Sequence, residues 1–163
     1  MQSPTHGKVN TEQMIALMND FYKRNLKYDS AYEMTVGTDS QNFSDTKIVK
    51  VLAFVCVGHG GIYFYEVTHV PKISDVRVKL NYETQLSLDL ANEVMEVMST
   101  KKEYENLYLN SHFAIHVDAG ESSKGKTKEL IPGIVGWIKA YGYDCVVKPD
   151  SYTASSIADR ISK

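Results

Sequence analysis

Apolar residues follow a helical spacing near the start of the chain and then form strand-like runs. The helical spacing predicts a helix over residues 11–24, which begins with a capping-box pair at Asn10 and Gln13. Three strand-like runs follow within residues 33–70, and a pair of glycines joins the last two runs in a tight hairpin. This half of the chain therefore predicts a helix followed by an antiparallel meander.

Helices and strands alternate in the second half of the chain. The predicted elements are a long helix capped by Ser74, a strand, a helix, a strand and a short last helix, at residues 76–99, 113–120, 125–141, 143–148 and 151–163. The last two strands flank a helix, so the right-handed crossover rule makes them parallel. The predicted fold class is α/β, with a mixed sheet of five strands in the order β-β-β-α-β-α-β-α and an extra N-terminal helix. We expect a helical extension over residues 1–30 and one domain over residues 31–163.

Composition narrows the class of protein. The chain has 163 residues, is 43% hydrophobic and carries a formal net charge of −2, which excludes a disordered chain, a basic nucleic-acid arm and an acidic tail. The longest apolar run, residues 51–57, is too short to cross a bilayer, and the first residues lack the apolar segment of a signal peptide. Cys56 and Cys145 make neither a disulfide framework nor a metal cluster. We therefore expect a cytoplasmic protein with no membrane partner.

Four acidic residues occupy positions where water should have poor access. Asp39 follows the apolar-rich MTVGT of the first long strand, and Asp118 ends the fourth, so both are predicted to be partly buried in a sheet covered on both faces. Asp159 shares one side of the last helix with Ser155 and Ser156, whose small side chains are expected to let that helix approach the sheet.

Glu83 is the fourth acid, and it heads the stripe of the long helix that is predicted to face the core. The members of that stripe are Glu83, Leu86, Leu90, Val94 and Val97. Taken singly, each acid has an ordinary structural explanation: a strand-end aspartate is usually a turn or cap residue, and Glu83 can pair with Lys79. Four converging carboxylates would repel one another, and two divalent cations would remove that repulsion, because all-oxygen sites suit Mg²⁺ and Mn²⁺.

The order of elements and acids resembles the RNase H-like superfamily over residues 31–163. The supporting motifs are GTDSQ around Asp39, NYETQ around Glu83, HVDAG around Asp118 and SIADRIS around Asp159. The Ala-Asp-Arg-Ile stretch at residues 158–161 is similar to the Ala-Asp-Arg-Leu-like stretch of many RNase H enzymes. More closely, the chain resembles the bacterial YkuK group of predicted RNase H-related nucleases.

The resemblance implies metal-dependent hydrolysis of phosphodiester bonds by a two-metal-ion mechanism. Asp39 would bridge two Mg²⁺ or Mn²⁺ ions, Glu83 and Asp118 would share one ion, and Asp159 would hold the other. The resemblance leaves open whether the nucleic acid is RNA, DNA or a hybrid.

Three further residues are expected to assist this site. Several RNase H enzymes carry a histidine after the fifth strand; the loop here has none, and Lys148 is its candidate substitute. His116 and Ser40 are candidates for a supporting role, although a buried structural histidine is the simpler interpretation of His116.

The segment GESSKGKT, residues 120–127, matches the phosphate-binding P-loop pattern and gives a rival hypothesis of a nucleotide-binding protein. Few residues follow it, and Pro132 interrupts the helix that should present its N-terminus to a phosphate. Its lysines, Lys124, Lys126 and Lys128, also suit contacts with a nucleic-acid backbone. A third hypothesis is a catalytically inactive nucleic-acid-binding domain on the same fold.

Overall fold

The computed structural model describes residues 1–120, 126–151 and 153–163, and within them seven strands form one sheet that is accompanied by five α-helices. The strands are β1 (Gln2–Ser3), β2 (Gly7–Lys8), β3 (Tyr32–Asn42), β4 (Thr46–Cys56), β5 (Gly61–Val70), β6 (Ser111–Gly120) and β7 (Asp144–Lys148). The helices are α1 (Thr11–Asn25), α2 (Val76–Thr100), α3 (Glu105–Asn110), α4 (Lys126–Ala140) and α5 (Thr153–Ser162), with a 3-10 turn at Lys102–Tyr104. None of these helices is long and apolar enough to span a bilayer.

The sheet is mixed, as predicted, and its strand order is β2-β1-β5-β4-β3-β6-β7. Strands β3, β4 and β5 form the antiparallel meander, while β6 runs parallel to β3, and β7 runs parallel to β6. The prediction of five strands is wrong, because the described residues also contain β1 and β2. Gln2 pairs with Tyr65 of β5 and with Lys8 of β2, so the first residues extend the β5 edge. Two-residue strands are too short to show a hydrophobic period.

Helix ends follow the local chemistry of the chain. The capping box is confirmed at α1: Asn10 Oδ1 accepts from the Gln13 amide at 2.8 Å, and Gln13 Oε1 accepts from the Asn10 amide at 2.9 Å. The cap of α2 is Asp75 rather than Ser74, since Asp75 Oδ1 accepts the amides of Arg77 and Val78.

Helices cover both faces of the sheet. On one face, α1 and α2 pack on β3–β5 in a cluster that includes Met18, Met34 and Phe54. On the other face, Ala154 and Ala158 of α5 pack against Val49, Val51 and Ala53 of β4. Helix α4 packs with α2 on β6 in a third cluster. Helix α1 contributes to the largest of these clusters. The separation of residues 1–30 from the domain as an extension stays a prediction.

The buried stripe of α2 is displaced from the predicted one. Its buried members are Leu80, Thr84, Ser87, Leu88, Leu90, Ala91, Val94 and Met98, while Glu83, Leu86 and Val97 are only partly buried. The buried stripe differs from the predicted one because it includes two polar residues, Thr84 and Ser87, whose hydroxyl groups are hydrogen-bonded. Thr84 donates to the Leu80 carbonyl, and Ser87 Oγ lies 2.8 Å from Thr38 Oγ1 of β3. Glu83 therefore lies at the border of the core-facing side rather than at its centre.

Candidate metal centre

Three aspartates from three different elements converge at one end of the sheet. Asp39 lies near the end of β3, and Asp118 lies near the end of β6; since these strands are parallel, both residues reach the same sheet edge. Asp159 comes from α5. One carboxylate oxygen of each aspartate lies within 4.8 Å of the other two. We call Asp39, Asp118 and Asp159 the aspartate cluster.

Close packing of α5 on the sheet brings Asp159 to this edge. Gly37 of β3 leaves room for the helix: a Cβ at this position would lie 3.1 Å from the Ser155 amide nitrogen and 3.2 Å from Ala154. Ser155 is buried as expected, but Ser156 is exposed, so the expectation that both serines line the contact with the sheet is wrong for Ser156. The small residues that make the contact are Ala154, Ser155 and Ala158.

Asp39 is the most buried member of the cluster, with 8% of its surface exposed. Burial raises the pKa of Asp39, and the nearby charges of Asp118 and Asp159 raise it further. A hydrogen bond opposes these effects, because Ser162 Oγ donates to Asp39 Oδ2 at 2.5 Å. The carboxylate is therefore oriented by a neighbour, while the net shift of its pKa remains upward.

Glu83 lies beside the cluster but outside its compact set of oxygens. Ser40 Oγ donates to Glu83 Oε1 at 2.5 Å, and Lys79 Nζ donates to the Ser40 carbonyl at 2.8 Å. The pKa of Glu83 is raised to about 8, mainly by burial and also by the charges of Asp39 and Asp118, against the opposing effects of the Ser40 hydrogen bond and the Lys79 charge. Glu83 is thus mainly protonated at neutral pH in the absence of a cation. Ser40 contacts Glu83, and its supporting role stays a prediction.

Two lysines contact the cluster from its solvent side. Lys148 Nζ lies 2.5 Å from Asp118 Oδ1, and Lys163 Nζ lies 2.6 Å from Asp159 Oδ2. Lys148 thus lies beside the cluster, and its predicted role as a substitute for the histidine stays a prediction. Lys163 and Ser162 were not predicted, although their positions four and three residues after Asp159 put them on the same side of α5, which is the signal that could have found them.

His116 lies on β6 two residues before Asp118, and it is 7% exposed. Burial and, to a smaller extent, the charge of His112 together lower the pKa of His116 to about 4, so the ring is neutral at neutral pH. Within the described residues, its Nδ1 atom is buried without a hydrogen-bond partner. A role of His116 in supporting Asp118 stays a prediction.

The predicted phosphate contacts fall largely outside the described residues. Lys124 and most of the P-loop pattern at residues 120–127 lie in the undescribed segment 121–125. Lys128 is exposed in the first turn of α4. The phosphate-contact prediction for Lys124, Lys126 and Lys128 therefore remains untested.

The donor set of the site suits hard divalent cations. All its candidate ligands are carboxylate oxygens, which Mg²⁺ and Mn²⁺ prefer over nitrogen or sulfur. The carboxylates also repel one another in a partly buried position, which is the situation that a bound cation relieves.

Comparisons with known proteins identify relatives of this chain. A family model described as Ribonuclease H-like matches residues 13–163. The uncharacterized protein YkuK of Bacillus subtilis (strain 168) is 33% identical over 141 residues, which cover 82% of this chain and 81% of that protein.

Two solved structures also align with the chain. The catalytic domain of Mos1 mariner transposase aligns at 13% identity with a TM-score of 0.32, covering 88% of this chain and 63% of that one. The Mos1 transposase catalytic domain with raltegravir and Mg aligns at 12% identity with a TM-score of 0.31, covering 85% of this chain and 62% of that one. The chain thus spans less than two thirds of either transposase chain.

Proposed function

Because this chain belongs to the ribonuclease H-like family, as its acidic motifs predicted, we propose that it is a metal-dependent nuclease that hydrolyses phosphodiester bonds. The observation that carries the proposal is the aspartate cluster, in which oxygens from β3, β6 and α5 lie within 4.8 Å of one another. Although Lys148 and Lys163 pair with two of these acids, the charges of Asp118 and Asp159 still raise the pKa of Asp39, and a bound divalent cation would relieve that repulsion.

We assign Asp39, Asp118 and Asp159, with Glu83 beside them, as the residues that hold two Mg²⁺ or Mn²⁺ ions. Such ions, when bound, lower the pKa of a water nucleophile and stabilise the charge on the leaving oxygen. Asp39 is the best candidate for a shared ligand, because it is the most buried member of the cluster and both Asp118 and Asp159 lie close enough to raise its pKa.

The hydroxyl groups around the acids orient them for this role. Ser162 donates to Asp39, and Ser40 donates to Glu83, each at 2.5 Å. Each hydrogen bond leaves the second carboxylate oxygen available to another ligand. Glu83 also holds a proton at neutral pH, and that proton must leave when Glu83 becomes a ligand, so we expect cation binding to release protons.

The test is a cleavage panel with Mn²⁺ or Mg²⁺ on single-stranded RNA, single-stranded DNA, duplex DNA and an RNA–DNA hybrid. Asp39→Asn and Asp118→Asn should each reduce the cleavage rate by more than about 100-fold. Replacing a residue that only orients a metal ligand reduces activity by about 10- to 100-fold, and replacing the ligand itself should have a larger effect. Asp144→Asn is the matched control, because Asp144 pairs with His112 at an exposed position on β7.

Calorimetric titration with Mn²⁺ separates the possible failures. If the wild type binds Mn²⁺ and nucleic acid but cleaves none of the four substrates, the chain is an inactive binding domain on this fold. If both aspartate variants cleave at the wild-type rate, the cluster is not the active site.

A further inference from the structure

Two lysine amino groups meet the aspartate cluster from separate elements. Lys148 ends β7 and contacts Asp118 Oδ1, whereas Lys163 follows α5 and contacts Asp159 Oδ2. The two amino groups therefore contact carboxylates that the proposed cations would also need. In the metal-free protein they supply positive charge to the cluster.

The side chains of these two lysines are open to solvent. They are 48% exposed for Lys148 and 65% exposed for Lys163, so their release does not open a buried space. Exposed ion pairs contribute little to stability, and the pair of Lys163 with Asp159 is of this kind. The pair of Lys148 with Asp118 is exposed on the lysine side only, because the Asp118 side chain is 12% exposed. Two neighbouring lysines differ, because Lys79 donates to the Ser40 carbonyl and Lys47 donates to the Ile161 carbonyl, and these main-chain contacts do not compete with a cation.

We propose that Lys148 and Lys163 are exchangeable counter-cations: a divalent cation displaces both amino groups from Asp118 and Asp159, and the released lysines then bind phosphate groups of the nucleic acid beside the cluster. This inference rests on the proposed function. In this proposal the same two lysines have opposite effects on the binding of the divalent cation and of the nucleic acid. Each lysine hinders cation binding by competition and charge repulsion, and each assists binding of a polyanion.

The first measurement is Mn²⁺ affinity by isothermal titration calorimetry at low ionic strength. Lys148→Met and Lys163→Met keep most of the side-chain length without the charge, and we expect each to tighten Mn²⁺ binding about three- to tenfold. Lys101→Met is the matched control. Lys101 Nζ forms an exposed ion pair with Glu12 at 2.7 Å beyond the far end of α2, and its loss should leave the Mn²⁺ affinity unchanged.

The second measurement is the affinity for a fluorescein-labelled single-stranded oligonucleotide, followed by anisotropy with Ca²⁺ present. Ca²⁺ also binds carboxylate oxygens, and the same lysines should be released. Each methionine variant should bind the oligonucleotide about three- to tenfold more weakly, and the slope of log affinity against log salt should become shallower by about 0.7 per lysine. Lys163→Arg restores the charge and should return both affinities toward the wild type.

Opposite shifts in the two affinities support the exchange, since a lysine with a purely structural role would weaken both or neither. The exchange alone is overturned if the wild type binds Mn²⁺ while both methionine variants bind it with wild-type or weaker affinity. It is also overturned if oligonucleotide binding and its salt dependence do not change. If the wild type binds no Mn²⁺, both the exchange and the proposed function are overturned.

Discussion

Replacement of Glu83 by glutamine tests the electrostatics of the site without any substrate. In the metal-free protein, burial raises the pKa of Glu83 from the ordinary 4.5 to about 8. Below pH 4.5 the folded and unfolded chains both carry the proton. As the pH rises toward 8 the unfolded chain loses it first, so the free energy of unfolding falls across this window.

The structure sets the size of this effect. Each pH unit in the window lowers the free energy of unfolding by somewhat more than 1 kcal/mol, which sums to roughly 3 to 5 kcal/mol for a carboxylate that keeps partial solvent contact. Glutamine retains the oxygen that accepts from Ser40 Oγ but carries no charge. Glu83→Gln should therefore become more stable relative to the wild type as the pH rises from about 5 to about 9.

The assay is urea denaturation in EDTA at several pH values, followed by circular dichroism. Glu66→Gln is the matched control: the hydrogen bond from Lys50 lowers the pKa of Glu66, so its loss should give no stabilisation at alkaline pH. Saturating Mn²⁺ should reverse the ranking, because the cation favours the ionised ligand of the wild type. A stability difference between wild type and Glu83→Gln that does not change with pH would refute the reasoning.

Three further changes test other parts of the argument. Asn10→Ala should lower the free energy of unfolding by about 1 kcal/mol in denaturant titrations, because it removes the α1 cap; no loss would contradict the capping box. Gly37→Val should lower the free energy of unfolding by about 1–3 kcal/mol and reduce Mn²⁺ affinity, because the added side chain forces α5 away from β3. An unchanged Mn²⁺ affinity would show that the packing of α5 does not position Asp159. The pKa of His116 is lowered to about 4, mainly by burial, so the free energy of unfolding of the wild type should fall by up to about 3 kcal/mol as the pH drops from 6.5 to 4. His116→Leu should reduce this fall in acid-denaturation curves. Equal falls in the two proteins would contradict the prediction.

The main architecture and the convergence of the acids follow from the sequence for simple physical reasons. Each long element carries enough residues to show its period, as in the eleven-residue β3 and the twenty-five-residue α2. The crossover rule predicts that the last two strands are parallel, as β6 and β7 are. The meeting of Asp39 and Asp118 is expected from the resemblance, and the parallel pairing of β3 with β6 gives its physical reason, because parallel strands end at one sheet edge.

Other features depend on contacts that no local pattern records. The pairing of Gln2 with Tyr65 joins distant parts of the chain through a two-residue strand. The buried face of α2 is set in part by Thr84 and Ser87, which a count of apolar residues treats as solvent-facing. The hydrogen bond from Ser162 to Asp39 requires the exact approach of α5, which depends on the missing side chain of Gly37.

The alternation of side chains along β3 explains why the site responds to both layers of the fold. Asp39 shares a strand face with Gly37 and belongs to the α5 side, whereas Ser40 points to the α2 side and donates to Glu83. One dipeptide thus connects acids held by two helices that lie on opposite faces of the sheet. The charge of Asp39 raises the pKa of Glu83 across this strand, so a cation that binds Asp39 should also lower the pKa of Glu83. Under the proposed function, a cation on the aspartate cluster would thus favour the ionised form of Glu83, which is the form that could serve as a further ligand.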